Sequence, residues 1–279
     1  MRIAYQGEPG AYSEAAALRF DPTADLLPQT SFEDVFEVVA KQEVAHGILP
    51  IENTIGGTIH RNYDLLLEYE LPIVAEVKLS IVHHLIVNPG TTLNQIRRVY
   101  SHPQGLAQCE RFLRGLKQVE IVATYDTAGS AKKIKEENLS DSAAIASERA
   151  ATFFGLEILQ SAIQDYADNI TRFLIIGRQA TPLSKPDKTT IVFTVTNEAG
   201  ALFKALSVFS LRDIDLKKLE SRPIPDRPFE YLFYVDLATN REDFKCARAL
   251  MHLAEFAPSV RTLGSYPAWK EVDKKTVVD

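Results

Sequence analysis

An α/β fold in two parts is what this sequence predicts, and three observations carry the prediction. From Arg2 to Gly177, short apolar runs alternate with amphipathic stretches, the pattern of strands joined by crossover helices. Residues 179–187 contain two prolines and read as a linker. Past the linker the order becomes strand, helix, strand, strand, helix, strand between Thr189 and Gly264, which is the ferredoxin-like βαββαβ order.

The totals set limits on what the chain does. Its 279 residues suffice for two domains with a sizeable core. With 46% hydrophobic and 24% charged residues, the composition is that of an ordinary globular protein. A net charge of -6 gives no support to nucleic-acid or anionic-membrane binding. The charge is uneven, -7 over residues 1–184 and +1 over 185–279, so an anion bound in the first part needs local donors rather than a broad positive field. Cys109 and Cys246 fall in different parts of the fold, which is no disulfide framework and suits a reducing compartment. Met1 leads directly into a strand-like run, without a signal-like leader or a membrane-length apolar stretch, so the cytoplasm is the expected location.

Taken in order, Arg2–Tyr5 reads as a strand, Gln6–Ser13 as a glycine loop and Glu14–Phe20 as a helix. That arrangement points backbone N–H groups at a ligand. The glycine spacing matches neither a dinucleotide fingerprint nor a P-loop, which leaves a carboxylate site or a plain tight turn. Ser31 is placed to cap a second helix. Ala45–Pro50 reads as a strand running into the polar, glycine-rich loop Ile51–Thr58, and His60–Tyr69 as a helix. Polar groups at the C-terminal end of a strand are where open α/β sheets place ligands. The β-rich run Leu71–Val87 carries the chain from one lobe to a second. There the strands Arg98–Tyr100, Val119–Ala123 and Ala143–Ala146 alternate with helices starting near Pro103, Thr127 and Ser147. The return strand enters through Asp168-Asn169-Ile170-Thr171-Arg172-Phe173, followed by apolar Leu174-Ile175-Ile176. A hydroxyl, a guanidinium and a ring thus arrive together at a strand's start. Two lobes joined by two crossings enclose a cleft, a favoured place for a ligand. Beyond the linker come strands Thr189–Thr196, Ile214–Glu220, Glu230–Leu237 and Val260–Gly264, with helices Ala201–Ser210 and Glu242–Ala254. Lys270–Asp279 is a charged, frayed tail.

Other chemistries find little support. The histidines show no metal-ligand spacing, and His83 and His84, adjacent in a strand, point to opposite faces. Ser101 beside His102 lacks the strained elbow of a hydrolase nucleophile. Glu52 is open to two readings, a general acid or base and an acceptor of backbone N–H groups.

Several ordered segments resemble one family. They are Gln6-Gly7-Glu8-Pro9-Gly10-Ala11-Tyr12-Ser13, Pro50-Ile51-Glu52-Asn53-Thr54, His60–Leu67, Ser101–Cys109, Thr171-Arg172-Phe173, Gly200-Ala201-Leu202 and Glu220-Ser221-Arg222-Pro223. Through them the chain resembles the prephenate dehydratases over nearly its whole length, including their regulatory ACT domain. The resemblance implies an α/β fold. Its catalytic domain, 1–180, would be two-lobed and similar to type II periplasmic binding proteins, with lobe one about 1–78 and 168–180 and lobe two about 79–167. An ACT domain at 188–267 and a tail at 268–279 would follow. Thr171 then matches the threonine essential for dehydration. Glu52, Asn53, Ser101 and Gln108 match cleft positions tied to substrate binding or catalysis. Arg172 is open between a two-pronged carboxylate donor and a structural ion pair, and Phe173 between a ring wall and core packing. Gly200, Ala201, Leu202, Glu220, Ser221, Arg222 and Pro223 match segments that bind the effector phenylalanine.

The implied activity is decarboxylating dehydration of prephenate to phenylpyruvate, without metal or cofactor, in a homodimer or homotetramer. His60–Leu67, Ala144-Ile145-Ala146-Ser147 and Leu263-Gly264-Ser265-Tyr266-Pro267 are also similar to plant plastid enzymes that act on arogenate, which makes arogenate dehydration to phenylalanine an alternative. With no transit-like leader, a bacterial protein is the expectation. A non-catalytic amino-acid sensor is the alternative from another class.

Overall fold

The computed structural model describes residues 1–180, 185–224 and 227–270. Most of the expected tail and the middle of the expected linker lie outside the described residues. In chain order the first elements are β1 (Arg2–Gln6), α1 (Tyr12–Phe20), β2 (Asp25–Gln29), α2 (Phe32–Ala40), β3 (His46–Asn53), β4 (Gly57–Thr58), α3 (His60–Glu68) and β5 (Ile73–Ser80). Next come β6 (His84–Val87), β7 (Arg98–Ser101), α4 (Pro103–Gln108), α5 (Glu110–Gly115), β8 (Glu120–Ala123), α6 (Thr127–Glu136), β9 (Ser142–Ala146), α7 (Glu148–Phe154) and β10 (Glu157–Gln160). The chain continues through β11 (Ile170–Gly177), β12 (Lys188–Thr194), α8 (Ala201–Ser210), β13 (Leu216–Ile224), β14 (Arg227–Leu237), α9 (Phe244–Ala254) and β15 (Ser259–Tyr266). Two compact units result: Met1–Tyr69 with Val77–Leu174, and Glu70–Glu76 with the chain from Ile175 onward.

The first unit is built on two mixed sheets. One has the order β2-β1-β3-β11-β5, with β4 paired to β3, and the other the order β10-β6-β9-β7-β8. In the first sheet β1 is parallel to both β2 and β3, so Gln6 and Asn53 finish at the same edge. Its centre is apolar on both faces. Ile3, Ala4, Tyr5, Ile48 and Leu49 are all buried, as suits strands covered by helices. α2 starts at a reciprocal capping box, in which Ser31 Oγ accepts from Asp34 N (3.1 Å) and Asp34 Oδ2 accepts from Ser31 N (3.0 Å). In the second sheet β7 is parallel to β8 and β9, while β6 runs antiparallel to β9 and β10. Leu85, Val87, Val99, Cys109, Ala143 and Ile145 form its core.

Three strands have no counterpart in the sequence reading, one of them the two-residue β4 inside the expected loop Ile51–Thr58. β2 contains Pro28, which argues against a strand. It lies at the sheet edge, where the missing N–H costs no ladder bond. β10 is also an edge strand, four residues long and half exposed, too short to show a period. The helix expected through Gln108 and Cys109 breaks at Cys109 into α4 and α5.

The second unit's sheet has the order β13-β14-β12-β15, and its pairs are antiparallel. Its element sequence, β12-α8-β13-β14-α9-β15, is the βαββαβ order read from the sequence. Ile191, Phe193 and Val235 of the sheet meet Ala205, Phe209 and Leu253 of α8 and α9 in one apolar core. A buried polar cluster lies elsewhere in this unit. Lys188 Nζ sits 2.8 Å from Glu76 Oε2 and 3.4 Å from Asp236 Oδ2, and Thr190 Oγ1 donates to Asp236 Oδ1 (2.6 Å).

Candidate active site

β3 and β11 deliver the polar groups. β11 begins where β3 ends, and Thr54 N donates to Ile170 O (2.9 Å) across the junction. Side chains on a strand alternate between faces. Thr171 and Phe173 therefore line a cavity of about 570 Å³, while Arg172 between them does not. The same cavity is lined by Asn53 and Gly56–Ile59 beyond β3, by Ala11, Tyr12 and Ser13 at the start of α1, and by His83. His102, Gln108, Asp126 and Thr127 from the other sheet's connections complete much of its wall.

A ring of amides holds the threonine. Asn53 Oδ1 accepts the backbone N–H groups of Ile55 (3.0 Å) and Gly56 (2.7 Å), which fixes the oxygen end of that amide. Its nitrogen then donates to Asn169 Oδ1 (2.7 Å) and to Thr171 Oγ1 (2.9 Å). Asn169 Nδ2 donates to Gln108 Oε1 (2.9 Å), and Gln108 Nε2 closes the ring on Asn53 Oδ1 (3.3 Å). Gln108 Oε1 also faces His83 Nε2 at 2.8 Å. An amide oxygen only accepts, so His83 carries its proton on Nε2. Burial holds the His83 pKa below its ordinary value, with the Gln108 hydrogen bond opposing, and the neutral ring leaves Nδ1 as an acceptor for Tyr12 (2.9 Å). Tyr12 also has Val82 O within reach (2.7 Å), and burial raises its phenol pKa well above 10, so it stays neutral. At the end of this network, Thr171 Oγ1 accepts from Asn53. Its own proton has no acceptor among the described residues, and it faces the cavity.

Anions meet neutral donors here. No lysine or arginine lines the cavity among the described residues. The N-cap of α1, Ala11, offers no side-chain acceptor, so the first-turn N–H groups are uncapped beside the cavity and can hold a carboxylate. α6 differs, because Asp126 caps it by accepting from Ala128 N (2.8 Å).

Not every expected site residue reaches the cavity. Asn53, Gln108, Thr171 and Phe173 come together on its wall. Ser101 is fully buried beneath it and donates to Ile145 O (2.7 Å), a bond between neighbouring strands. Arg172 points to the opposite face of β11, where Nε lies 2.7 Å from Glu52 Oε1, so these two residues hold each other rather than line the cavity. Gly200 caps α8 with φ +81°, a conformation glycine adopts without strain. Ala201 lines a separate cavity of about 210 Å³ with Thr196, Glu198, Lys204 and Phe256. Leu202 packs against the second unit's core, and Glu220, Ser221, Arg222 and Pro223 lie on the edge strand β13. The sequence reading singled out neither His83, Asn169, Tyr12 nor Asp126 for a role. Asp126 had a readable signal, an aspartate immediately before a helix. The others act through partners distant in sequence.

Residues 3–181 match the family model described as prephenate dehydratase. A curated relative from Arabidopsis thaliana, "Arogenate dehydratase/prephenate dehydratase 2, chloroplastic", is 49% identical over 96% of this chain and 73% of that protein. Among solved structures, a prephenate dehydratase in complex with L-Phe from Arthrobacter aurescens superposes with TM-score 0.88 at 30% identity, covering 96% of this chain and 90% of that one. Another, described as a novel type of quorum quenching acylase, has TM-score 0.88 at 34% identity, covering 96% and 98%. The chain belongs to the prephenate dehydratase family, whose members are decarboxylating dehydratases, and the resemblance read from its motifs is borne out. The expected cytoplasmic location is not. The Arabidopsis relative and a second from that plant, 46% identical, are named chloroplastic, which contradicts it.

Proposed function

We propose that this protein removes carbon dioxide and water together from a prephenate-type ring, giving phenylpyruvate from prephenate and phenylalanine from arogenate. The observation that carries the reading is the Thr171 hydroxyl. It accepts from Asn53 and keeps its proton for a ligand in the cavity. As the ring carboxylate leaves as CO2, its bonding electron pair enters the ring, the ring becomes aromatic, and the C–O bond across the ring breaks. The departing oxygen takes up a proton through the Thr171 hydroxyl, whose proton solvent replaces, and leaves as water. Thr171 donates its hydrogen bond to that oxygen, and the Asn53 amide, by donating to Oγ1, polarises the O–H in the useful direction. Phe173 walls the ring. Uncapped N–H groups of α1 hold the side-arm carboxylate, and among the described residues no lysine or arginine lines the cavity to hold back the ring carboxylate as it leaves. Asn53 and Gln108 position the threonine, and the Glu52–Arg172 pair and Ser101 support the scaffold.

The domain reading is likewise proposed. A two-lobed catalytic domain similar to type II periplasmic binding proteins is supported by the paired mixed sheets, and an ACT domain by the βαββαβ unit. In that domain Gly200–Leu202 and Glu220–Pro223 would bind phenylalanine as effector, within a homodimer or homotetramer. The phenylalanine complex of the Arthrobacter relative supports such regulation. An acylase reading, prompted by the other solved relative, has less support. Ser101 is spent on Ile145 O, and Tyr12 is the cavity hydroxyl that meets a histidine.

Incubating the purified protein with prephenate and, separately, with arogenate tests the reaction. Phenylpyruvate and phenylalanine are the expected products, and added phenylalanine should lower the rate. No aromatic product from either substrate would sink the reading.

A further inference from the structure

From the surroundings of Asp126 we infer that this carboxylate receives the substrate's ammonium group, making the cavity selective for an α-amino acid side arm over an α-keto one. The inference rests on the reaction proposed above and names the residue that chooses between its two substrates.

Asp126 is 9% exposed and lines the cavity. Its partners among the described residues are all neutral: Ala128 N (2.8 Å) and the weaker Thr127 Oγ1 (3.4 Å) on Oδ1, and Glu8 N (3.2 Å) on Oδ2. A carboxylate has about four lone-pair sites, two on each oxygen, so Oδ2, which takes one donor, keeps acceptor capacity. The nearby His102 cannot supply a cation. Its Nδ1 accepts from Gln104 N (3.2 Å), and burial lowers its pKa despite the charge of Asp126. Glu8, the other acid at this rim, is already matched by Lys132 at 3.2 Å. Asp126 is therefore a cavity carboxylate facing neutral groups, in a cavity lined by no arginine or lysine among the described residues.

Its position supplies the second half of the argument. A Cβ added at Gly7 would lie 2.8 Å from Asp126 Oδ2 and 3.0 Å from Ala11 Cβ. Gly7 (φ +119°) thus brings the Asp126 carboxylate next to the residue that caps α1. An α-amino acid carries its carboxylate and ammonium on one carbon. The uncapped N–H groups of α1 take the first, and Asp126, one short loop away, takes the second. Arogenate has this pair. Prephenate has a keto oxygen instead, a lone-pair donor that Asp126 repels, and one more net negative charge in a cavity lined by no lysine or arginine among the described residues.

The experiment compares kcat/KM for arogenate and prephenate in the wild-type protein and in Asp126→Asn. Asparagine caps helices as well as aspartate does, so the α6 start is kept while the charge is removed. The wild-type protein should prefer arogenate. In the variant the arogenate-to-prephenate ratio should fall ~10-fold or more, as expected for losing one charge-assisted hydrogen bond. The loss should fall more heavily on arogenate than on prephenate, whose keto oxygen can accept from the new amide N–H. Asp126→Ser, another capping residue without charge, gives the same readout if the asparagine variant is unstable. A wild-type preference for prephenate, or a ratio unchanged in the variants, overturns the inference. Failure of the wild-type protein to turn over either substrate overturns the reaction itself, a distinguishable result.

Discussion

Arg172 and Thr171 are neighbours in sequence with opposite tasks, because a strand turns successive side chains to opposite faces. Thr171 faces the cavity, and Arg172 is tied to Glu52 at 2.7 Å. Replacing Arg172 by Met should therefore lower stability more than substrate affinity. Breaking a fully buried pair costs about 3–5 kcal/mol. Glu52 keeps 32% of its side-chain surface and can regain water, so about 1–3 kcal/mol is expected. Urea unfolding and KM measured on one preparation check this. A KM raised a hundredfold at unchanged stability would return Arg172 to the substrate. The sequence showed that threonine, guanidinium and ring arrive together. The guanidinium's partner comes from a strand more than a hundred residues earlier, and no local pattern encodes that pairing.

At the scale of elements, β12 carries a lysine where its neighbours are buried. Lys188 lies between Glu76 and Asp236, and all three side chains are nearly inaccessible. Lys188→Met takes a buried cation away from two buried carboxylates. The cost expected is about 3–5 kcal/mol, a fall in Tm of roughly 10 °C. Adding Glu76→Gln to that variant should recover part of the loss. A melting temperature within 2 °C or so of wild type for Lys188→Met would show the cluster to be unimportant. The elements themselves were mostly legible. Strands with continuous apolar runs, such as β9 and β11, and helices with caps, such as α2 at Ser31, could be read directly. β2 and β10 could not, since edge strands need neither a two-sided apolar run nor a full set of N–H donors.

For the whole molecule, the histidines set a pH dependence. His46, His83, His84 and His102 are each held below the ordinary histidine pKa, chiefly by burial. Such a group is neutral when folded, but takes a proton in the unfolded chain once the pH drops below about 6.5. Stability is therefore complete above that pH and declines as the pH falls from there towards the lower folded values. Thermal unfolding between pH 8 and pH ~5.5 should show a plateau and then a fall, and His83→Gln should flatten part of the fall. A Tm that rises on acidification across this range would contradict the neutral assignment. The molecular plan was legible from the alternation of elements and the change of order after the linker. The cytoplasmic expectation did not hold against relatives named chloroplastic.

Thr171 gives the most direct test, through the turnover of Thr171→Val and Thr171→Ser. Valine keeps the shape and removes the hydroxyl, and serine keeps the hydroxyl. Donation to the leaving oxygen predicts that valine lowers kcat ~10²–10⁴-fold while the folded protein remains, and that serine retains about a tenth or more of the activity. A folded valine variant turning over within roughly 10-fold of wild type would contradict the assignment of Thr171.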